Sequence, residues 1–184
     1  LQRMGRIDEA EALWKKLRPA RMKLMGEKNR FVATDWIGWG ELLRRKGELE
    51  EAEAAVRKGL EIREAVLKPG HPALAQGRAA LGRVLADKGD WAGAEREFRV
   101  AYETTLALHG AENARTTAAA ELELSEALAH LERREEALAR LKHVMDLRRA
   151  RLPAGDAQRK QAEEAWSRWS QTLAPVRQRA PGVR

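Results

Sequence analysis

Histidine is the side chain in this chain best suited to metal or acid–base chemistry, and the spacing of its four copies argues against both. His71 and His109 fall in loop-like sequence, and His130 and His143 are thirteen residues apart. A metal site on a helix typically uses two histidines four residues apart with a carboxylate nearby. No such pair occurs, and the chain has no cysteine that could supply a thiolate. The sequence therefore predicts neither a metal site nor a cofactor.

The glycine motifs and the candidate nucleophiles also give no indication of cofactor binding or catalysis. Gly38-Trp39-Gly40 begins like a dinucleotide-binding fingerprint, but the third glycine and the preceding strand are missing. The sequence contains no phosphate-binding loop, no nucleophile elbow and no Cys/His pair. We interpret these glycines as helix-packing positions and expect that this chain is not an enzyme, although a catalytic domain upstream would fit.

The chain is basic overall, with a net charge of +7 and a pI of about 10.0. Acidic and basic residues are nevertheless interleaved, which is typical of a solvated, ion-paired surface. The clearest concentration of basic residues is at the C-terminal end: Arg148, Arg149, Arg151, Arg177, Arg179 and Arg184. Nonspecific nucleic-acid contact through this end is one alternative function, but no recognition motif or aromatic platform accompanies it. Nucleic acid is therefore not the expected partner.

These side chains must be positioned by helices. Ala, Leu, Glu, Arg and Lys dominate the composition, and no segment alternates apolar and polar residues as a strand would. The sequence also repeats itself: Gly5, Gly47 and Gly89 are each 42 residues apart, and the series beginning at Ala10 has the same spacing. Such a period is typical of a helical repeat array.

Amphipathic periodicity and capping residues define the predicted elements. The predicted helices cover residues 6–25, 31–46, 49–67, 72–88, 91–108, 113–131, 134–151 and 157–173. Pro19 should kink or shorten the first helix. Gly89 should close one helix, and Asp90, Asn113 and Asp156 should cap those that follow. Pro72 suits a first helical turn, and residues 175–184 are predicted to be a disordered basic tail.

Small residues recur where helix backbones should approach closely: Gly40, Gly82, Ser125, Ala52, Ala94 and Ala137. The pattern Trp36-x2-Trp39-Gly40-x2-Leu43…Ala52-x3-Val56, repeated from Leu81 and from Leu124, resembles the tetratricopeptide repeat signature. The 42-residue period and the Gly70-His71-Pro72 loop resemble the kinesin-light-chain subtype of that repeat.

The resemblance implies an all-α fold, a right-handed α-solenoid of helix-turn-helix repeats. The expected array covers residues 1–174, with a truncated repeat at 1–30, repeats at 31–71, 72–112 and 113–155, and a capping helix at 156–174. In such arrays the first helix of each pair lines a concave groove for a peptide or partner protein. Protein or peptide recognition is therefore the expected function.

The register set by the packing glycines predicts which side chains face that groove: Thr34, Ile37, Glu41, Arg44, Arg45, Gln76, Arg83, Asp87, Glu126 and His130, with Arg168 on the last helix. We expect Arg44, Arg45 and Arg83 to pair with carboxylates of a bound segment. The alternative is that these residues are solvated surface charges with no ligand.

A second alternative is self-association. The first predicted helix carries an apolar edge formed by Leu13, Trp14, Leu17 and Leu24, which can pair between copies. Such a homo-oligomerisation module would use a different surface from the groove.

The resemblance also suggests what kind of larger protein contains the chain. The Ala- and Arg-rich composition is similar to bacterial arrays of this subtype, which often stand behind serine/threonine kinase domains or in signalling regulators. The chain is then expected to be the docking region of a larger protein, of which it is a fragment. No apolar run approaches the roughly 20 residues of a membrane span. A cytoplasmic location is expected, and a periplasmic one is the alternative.

Overall fold

The computed structural model describes the backbone of residues 2–173 and the side chains of residue 9 and residues 11–173. This part of the chain is all helical. The helices are α1 (Gln2–Met25), α2 (Arg30–Lys46), α3 (Leu49–Val66), α4 (Pro72–Asp87), α5 (Trp91–His109), α6 (Thr116–His130), α7 (Arg134–Arg151) and α8 (Ala157–Thr172). The all-α prediction is confirmed over these residues, whereas the predicted tail at 175–184 lies outside them.

Most helix ends lie where capping chemistry predicts. Gly47 and Gly89 adopt φ angles of 86° and 82°, a conformation that glycine enters without a Cβ clash. Asp90 Oδ1 accepts a hydrogen bond from the backbone N–H of Gly93, and Asp156 Oδ1 accepts one from that of Gln158, both at 2.8 Å. These caps confirm the starts of α5 and α8.

Two helix starts differ from the prediction by more than one residue, and one of them is that of α1, which begins at Gln2 rather than at residue 6. Helix α6 begins at Thr116, three residues later than expected, because Asn113 accepts the Thr116 N–H from within a preceding turn. Helix α1 contains Pro19, expected to kink or shorten it, and is not shortened there: it ends at Met25, the residue predicted from the sequence. Proline removes one hydrogen bond but keeps a helical φ, and Trp14 and Met22 on either side of it both pack on α2.

The helices pack consecutively as antiparallel pairs, α2 with α3, α4 with α5, and α6 with α7. The first helices of successive pairs also touch, since α2 contacts α4 and α6 contacts α8. Helix α1 occupies the register of a second helix, and α8 that of a first helix. The result is a solenoid in which the first helices form one layer.

Glycine at two repeat-equivalent positions permits the closest helix approaches. A Cβ added at Gly40 would lie 2.4 Å from Val56 Cγ2 and 2.9 Å from the carbonyl oxygen of Ala52. A Cβ at Gly82 would lie 2.6 Å from the Phe98 ring. The predicted role of these glycines in helix packing is therefore confirmed.

Buried arginines join each of two second helices to the helix that follows. Arg63 in α3 donates to the carbonyl of Ala73 in α4, and Arg148 in α7 donates to that of Gln158 in α8 at 2.8 Å. Arg148 is 0% exposed and also donates to the carbonyl of Ala114 at 3.2 Å. Burial lowers the pKa of both arginines.

The basic end predicted from the sequence is accordingly smaller than expected. Arg148 belongs to the interior, so its inclusion in an exposed basic surface is wrong. Arg149 forms an ion pair with Glu163 at 2.8 Å, and Arg151 forms one with Glu112 at 3.1 Å. Arg177, Arg179 and Arg184 lie outside the described residues.

Candidate interaction site on the first helices

The side chains of the candidate site are contributed by α2, α4, α6 and α8, which repeat packing sets side by side. We call this set the first-helix face. It comprises Glu41, Arg44, Arg45, Arg83, Asp87, Glu123, Glu126, His130 and Arg168, all of them half-buried or exposed. Positive and negative groups are mixed along it, so the contacts between them decide what it can bind.

Arg83 is the centre of the face. Its Nε and Nη2 atoms donate to Glu41 Oε1 at 2.9 and 2.6 Å, and its Nη1 atom donates to Glu123 Oε1 at 2.8 Å. One guanidinium group thus links α2, α4 and α6. Burial raises the pKa of Glu41, but Arg83 and Arg44 outweigh it and hold that pKa below its ordinary value.

Arg44 extends this network toward the C-terminal end of α4. Its Nε atom donates to Glu41 Oε2 at 3.1 Å, and its Nη1 atom donates to Asp87 Oδ2 at 2.7 Å. For Arg44, burial is outweighed by Asp87 and Glu41, which raise the pKa. For Arg83, burial is outweighed by Glu123 and Glu41. Two of the three arginines expected to meet a partner's carboxylates, Arg44 and Arg83, are therefore already paired within the chain, whereas Arg45 is exposed.

Glu123 is a member of the network that the sequence analysis missed. The register of the packing glycines placed Glu126 on the groove-facing side of α6, but Arg83 reaches Glu123, which lies three residues nearer the N-terminus of that helix. The i, i+3 relation between Glu123 and Glu126 puts both on one helix face, and this signal could have identified Glu123.

Glu126 differs from the other carboxylates because it forms no ion pair within the described residues. Burial raises its pKa, and the charge of Arg168 opposes that effect only in part. The pKa of Glu123 is also raised by burial despite its contact with Arg83. Two carboxyl groups one helical turn apart thus lie at this end of the face, and burial disfavours the charged form of each.

An aromatic platform lies one helical turn beyond Glu126. The ring of His130 stacks on Trp91 with 3.5 Å between centroids and an interplanar angle of 6°. Trp169 meets His130 edge-on at 4.9 Å. Burial, followed by the charge of Arg168, lowers the pKa of His130, which favours the neutral imidazole, and the stacked rings of Trp91 and His130 form a flat surface.

The remaining predicted groove residues are placed less uniformly. Ile37 is 8% exposed and packs into the core. It lies on the side of α2 that contacts α3 and α4, so the spacing used to predict groove residues also selected a residue between helices. Thr34 Oγ1 donates to the carbonyl of Arg30 at 3.0 Å, and Gln76 and Arg45 are exposed. Ile37 is therefore part of the packing, whereas Thr34, Gln76 and Arg45 remain accessible.

Two further features bear on the site. Within the described residues, no three His, Asp or Glu side chains are grouped so as to hold a metal ion. None of the helices described above is long and apolar enough to cross a membrane.

The structure consists of helix pairs that stack in one direction and place the first helices in one polar layer. This architecture is that of a helical-repeat protein. A family model for the tetratricopeptide repeat matches residues 1–65 and 31–107, and the chain belongs to that family. Tetratricopeptide repeats generally serve as protein–protein interaction scaffolds.

Solved structures with the same fold include kinesin-light-chain-like proteins. A kinesin light chain from Podosopora anserina with nearly identical TPR-like repeats is 18% identical, with a TM-score of 0.77 over 92% of this chain and 80% of that one. BtubC (BKLC) from P. vanneervenii is 17% identical, with a TM-score of 0.73 over 100% of this chain and 79% of that one. No curated protein matches the sequence.

Proposed function

We propose that the chain binds a segment of a partner protein on its first-helix face. What supports this proposal is the line of polar contacts from Glu41 through Arg83 to Glu123, which joins three successive first helices. These contacts hold the surface in one arrangement before a partner arrives. A pre-ordered surface loses little conformational entropy on binding.

The side chains of the face that have no charged partner within the described residues suggest the chemistry of the bound segment. Glu126 is a desolvated carboxylate without an ion pair in the described residues, so a Lys or Arg of the partner would relieve an existing cost there. Arg45 is exposed and available to an acidic residue. The Trp91–His130 stack offers a flat surface to an apolar side chain between or beside these charges.

The test begins with selection of twelve-residue peptides from a displayed random library on the 184-residue chain. Selected peptides are then titrated against a variant carrying Arg45→Glu and Glu126→Lys, which leaves the net charge unchanged. We expect at least tenfold weaker binding, because two favourable contacts become repulsive. Charge reversal at Arg83 is unsuitable, since it would leave Glu41 and Glu123 without a counter-charge and destabilise the fold.

The matched control exchanges charges on a second helix. Lys58 and Glu61 pair with each other at 2.9 Å on α3 and are both exposed. A Lys58→Glu and Glu61→Lys variant also keeps the net charge and should bind the peptides as the unmodified chain does. A selection that yields no binding peptide, or equal loss of affinity in both variants, would contradict the proposal.

We infer further that this scaffold is the docking region of a larger bacterial signalling protein located in the cytoplasm. The support is the similarity to arrays that follow kinase domains, together with the absence of cysteine, which suits a reducing compartment. Immunodetection in fractionated cells tests both points. A band much larger than 20.7 kDa in the cytoplasmic fraction is expected, and a periplasmic band would overturn the location.

A further inference from the structure

The outer side of α5 carries a row of exposed side chains that combines three apolar residues with two charges of opposite sign. The row follows the spacing i, i+4, i+8, i+11 and i+15, which places all five residues on one side of a helix. Its members are Ala92, Arg96, Val100, Glu103 and Ala107, and each of them is exposed. Val100, the largest apolar residue of the row, is 44% exposed. We call this row the α5 stripe.

The α5 stripe is exposed because of its place in the repeat. Helix α5 packs against α4, the first helix of its own pair, and against α6, the first helix of the next pair. Phe98 and Ala101 face these contacts and are 4% and 2% exposed, whereas the stripe lies on the opposite side of the helix. Additional helix pairs at either end of an array stack along its length and leave this side of α5 uncovered.

The second helices on either side of α5 have a polar residue where α5 has Val100. Lys58 of α3 is 42 residues before Val100, and His143 of α7 is 43 residues after it. Lys58 pairs with Glu61 of the same helix at 2.9 Å, and His143 Nδ1 lies 2.8 Å from Glu121 Oε2. Both polar side chains are thus engaged within the chain, whereas Val100 presents an apolar surface to solvent.

The two charged residues of the α5 stripe, Arg96 and Glu103, form no ion pair within the described residues, and both are exposed. They lie on either side of Val100, seven residues and about 10 Å apart along the helix axis. Arg99, which precedes Glu103 by four residues, pairs instead with Glu95. The stripe therefore offers one positive and one negative charge, each without a partner in the described part of the chain, around an apolar centre.

The order of residues along the stripe makes it complementary to itself in the antiparallel direction. Arg96 and Glu103 are centred on a point of the helix beside Val100, and Ala92 and Ala107 are centred on the same point. An antiparallel copy of α5 therefore places its Glu103 opposite Arg96 and its Ala107 opposite Ala92. The small alanines let the two backbones approach closely at both ends of the contact. A parallel copy would instead oppose Arg96 to Arg96 and Glu103 to Glu103.

We propose that two copies of the chain associate through an antiparallel contact between their α5 helices, with Val100 at the twofold axis and an Arg96–Glu103 ion pair on each side of it. The contact is isologous, because the same stripe serves on both copies. A contact between one helix and one helix is small, so the dimer is weak and reversible. It is independent of partner binding, because the first-helix face lies on α2, α4, α6 and α8.

The chain contains no cysteine, so single introduced cysteines can report which residues of two copies face each other. Val100→Cys should form a disulfide between copies under mild oxidation, because the two side chains meet at the axis. A mixture of the Ala92→Cys and Ala107→Cys variants should give mainly the mixed disulfide, identified by mass spectrometry. Val66→Cys is the control, since Val66 lies on α3 outside the stripe and has a similar exposure of 41%. Equal cross-linking of Val66→Cys and Val100→Cys would overturn the contact, and mainly like-with-like disulfides from the mixture would overturn the antiparallel orientation.

Sedimentation velocity of the 184-residue chain, in a series reaching millimolar concentration, tests the contact without cysteine chemistry. Val100→Glu should raise the dissociation constant of the dimer at least about tenfold, because two like charges then meet at the axis. Val66→Glu is the matched control and should leave that constant unchanged. Arg96→Glu alone should weaken the dimer, and Arg96→Glu combined with Glu103→Arg should restore it to within about twofold, because each ion pair re-forms with its signs reversed. A monomer throughout the series, or a dimer insensitive to Val100→Glu, overturns the proposal; a dimer that the double variant does not restore overturns the antiparallel orientation.

Discussion

Glu41 and Arg83 occupy the same position of successive repeats, 42 residues apart, and their side chains form an ion pair with 2.6 Å between Glu41 Oε1 and Arg83 Nη2. The repeat thus places opposite charges where identical residues would repel each other. Arg83 then reaches Glu123 on the next first helix at 2.8 Å. Because the residue at this repeat position is Glu in α2 and Arg in α4, the first helices are joined by ion pairs in addition to their packing.

Replacement of Arg83 by Met should destabilise the fold. It leaves Glu41 and Glu123 close together without their shared cation. A fully buried pair broken in this way costs about 3–5 kcal/mol, but the Arg83 side chain is 35% exposed and solvent screens the remaining charges. We expect the free energy of unfolding in urea to fall by about 1–2 kcal/mol.

Arg57→Met is the comparison for this variant. Arg57 pairs with Glu53 at 2.7 Å along the surface of α3 and is 56% exposed. Exposed pairs of this kind contribute less than about 0.5 kcal/mol. Equal losses in the Arg57 and Arg83 variants would contradict the special role of the cross-repeat contact.

Two glycines in α2 should respond in opposite directions to alanine. Gly40→Ala places a Cβ against Val56 and the Ala52 carbonyl and should cost about 1–3 kcal/mol through overpacking. Gly38→Ala meets no atom within 4 Å and should gain about 0.5–1 kcal/mol from better helix propensity. Thermal unfolding of both variants checks this, and a stabilised Gly40→Ala protein would show that the two helices are not in close contact.

Arg148→Met should be among the more damaging substitutions in α7. It removes the donor to the carbonyls of Ala114 and Gln158 inside a closed interface. We expect about 1–3 kcal/mol for the Ala114 carbonyl, since the Gln158 carbonyl lies in the first turn of α8 and also accepts within that helix. The neighbouring Arg149 is half exposed, and Arg149→Met should change the free energy of unfolding by less than about 0.5 kcal/mol. Urea titrations that rank the two variants in the reverse order would exclude the buried role of Arg148.

Glu126→Gln should stabilise the chain at pH 7. Because burial raises the pKa of Glu126, the folded protein binds the proton more tightly than the unfolded chain, and the stability this provides is lost as pH rises through the folded pKa. The neutral amide avoids that loss.

The gain from Glu126→Gln should disappear when the pH falls below the ordinary glutamate pKa of 4.5, where the carboxyl is protonated in both states. Unfolding in urea at pH 7 and at pH 4 measures the difference. A variant less stable than the parent at pH 7 would mean that Glu126 has a compensating cation.

The helical layout could be predicted from the sequence because local rules determine it. The period marked by Gly47 and Gly89, the caps at Asp90 and Asp156, and the small residue at Gly40 each express a local steric or hydrogen-bonding requirement. All of these predictions are confirmed within residues 2–173. Which residues pack between helices followed from the same spacing.

The site was predictable only in part, because its contacts depend on side-chain reach between helices. Arg148 stands in a run of charged residues that resembles a solvated surface, yet it is buried. It follows Arg63, which is also buried, by 85 residues, or about two repeat lengths, and this equivalence was an available signal. Pairing of Arg83 with Glu123 depends on how far the arginine side chain reaches from α4 to α6. Sequence spacing alone identifies the helix face but not the partner atom.

The central claim, that a partner segment binds across α2, α4, α6 and α8, is tested most directly by mapping where a selected peptide contacts the chain. Amide chemical shifts of the labelled chain would be recorded during titration with that peptide. We predict that the largest changes occur at Arg45, Asp87, Glu126 and His130. Changes confined to the second helices α3, α5 and α7, or to α1, would contradict the claim.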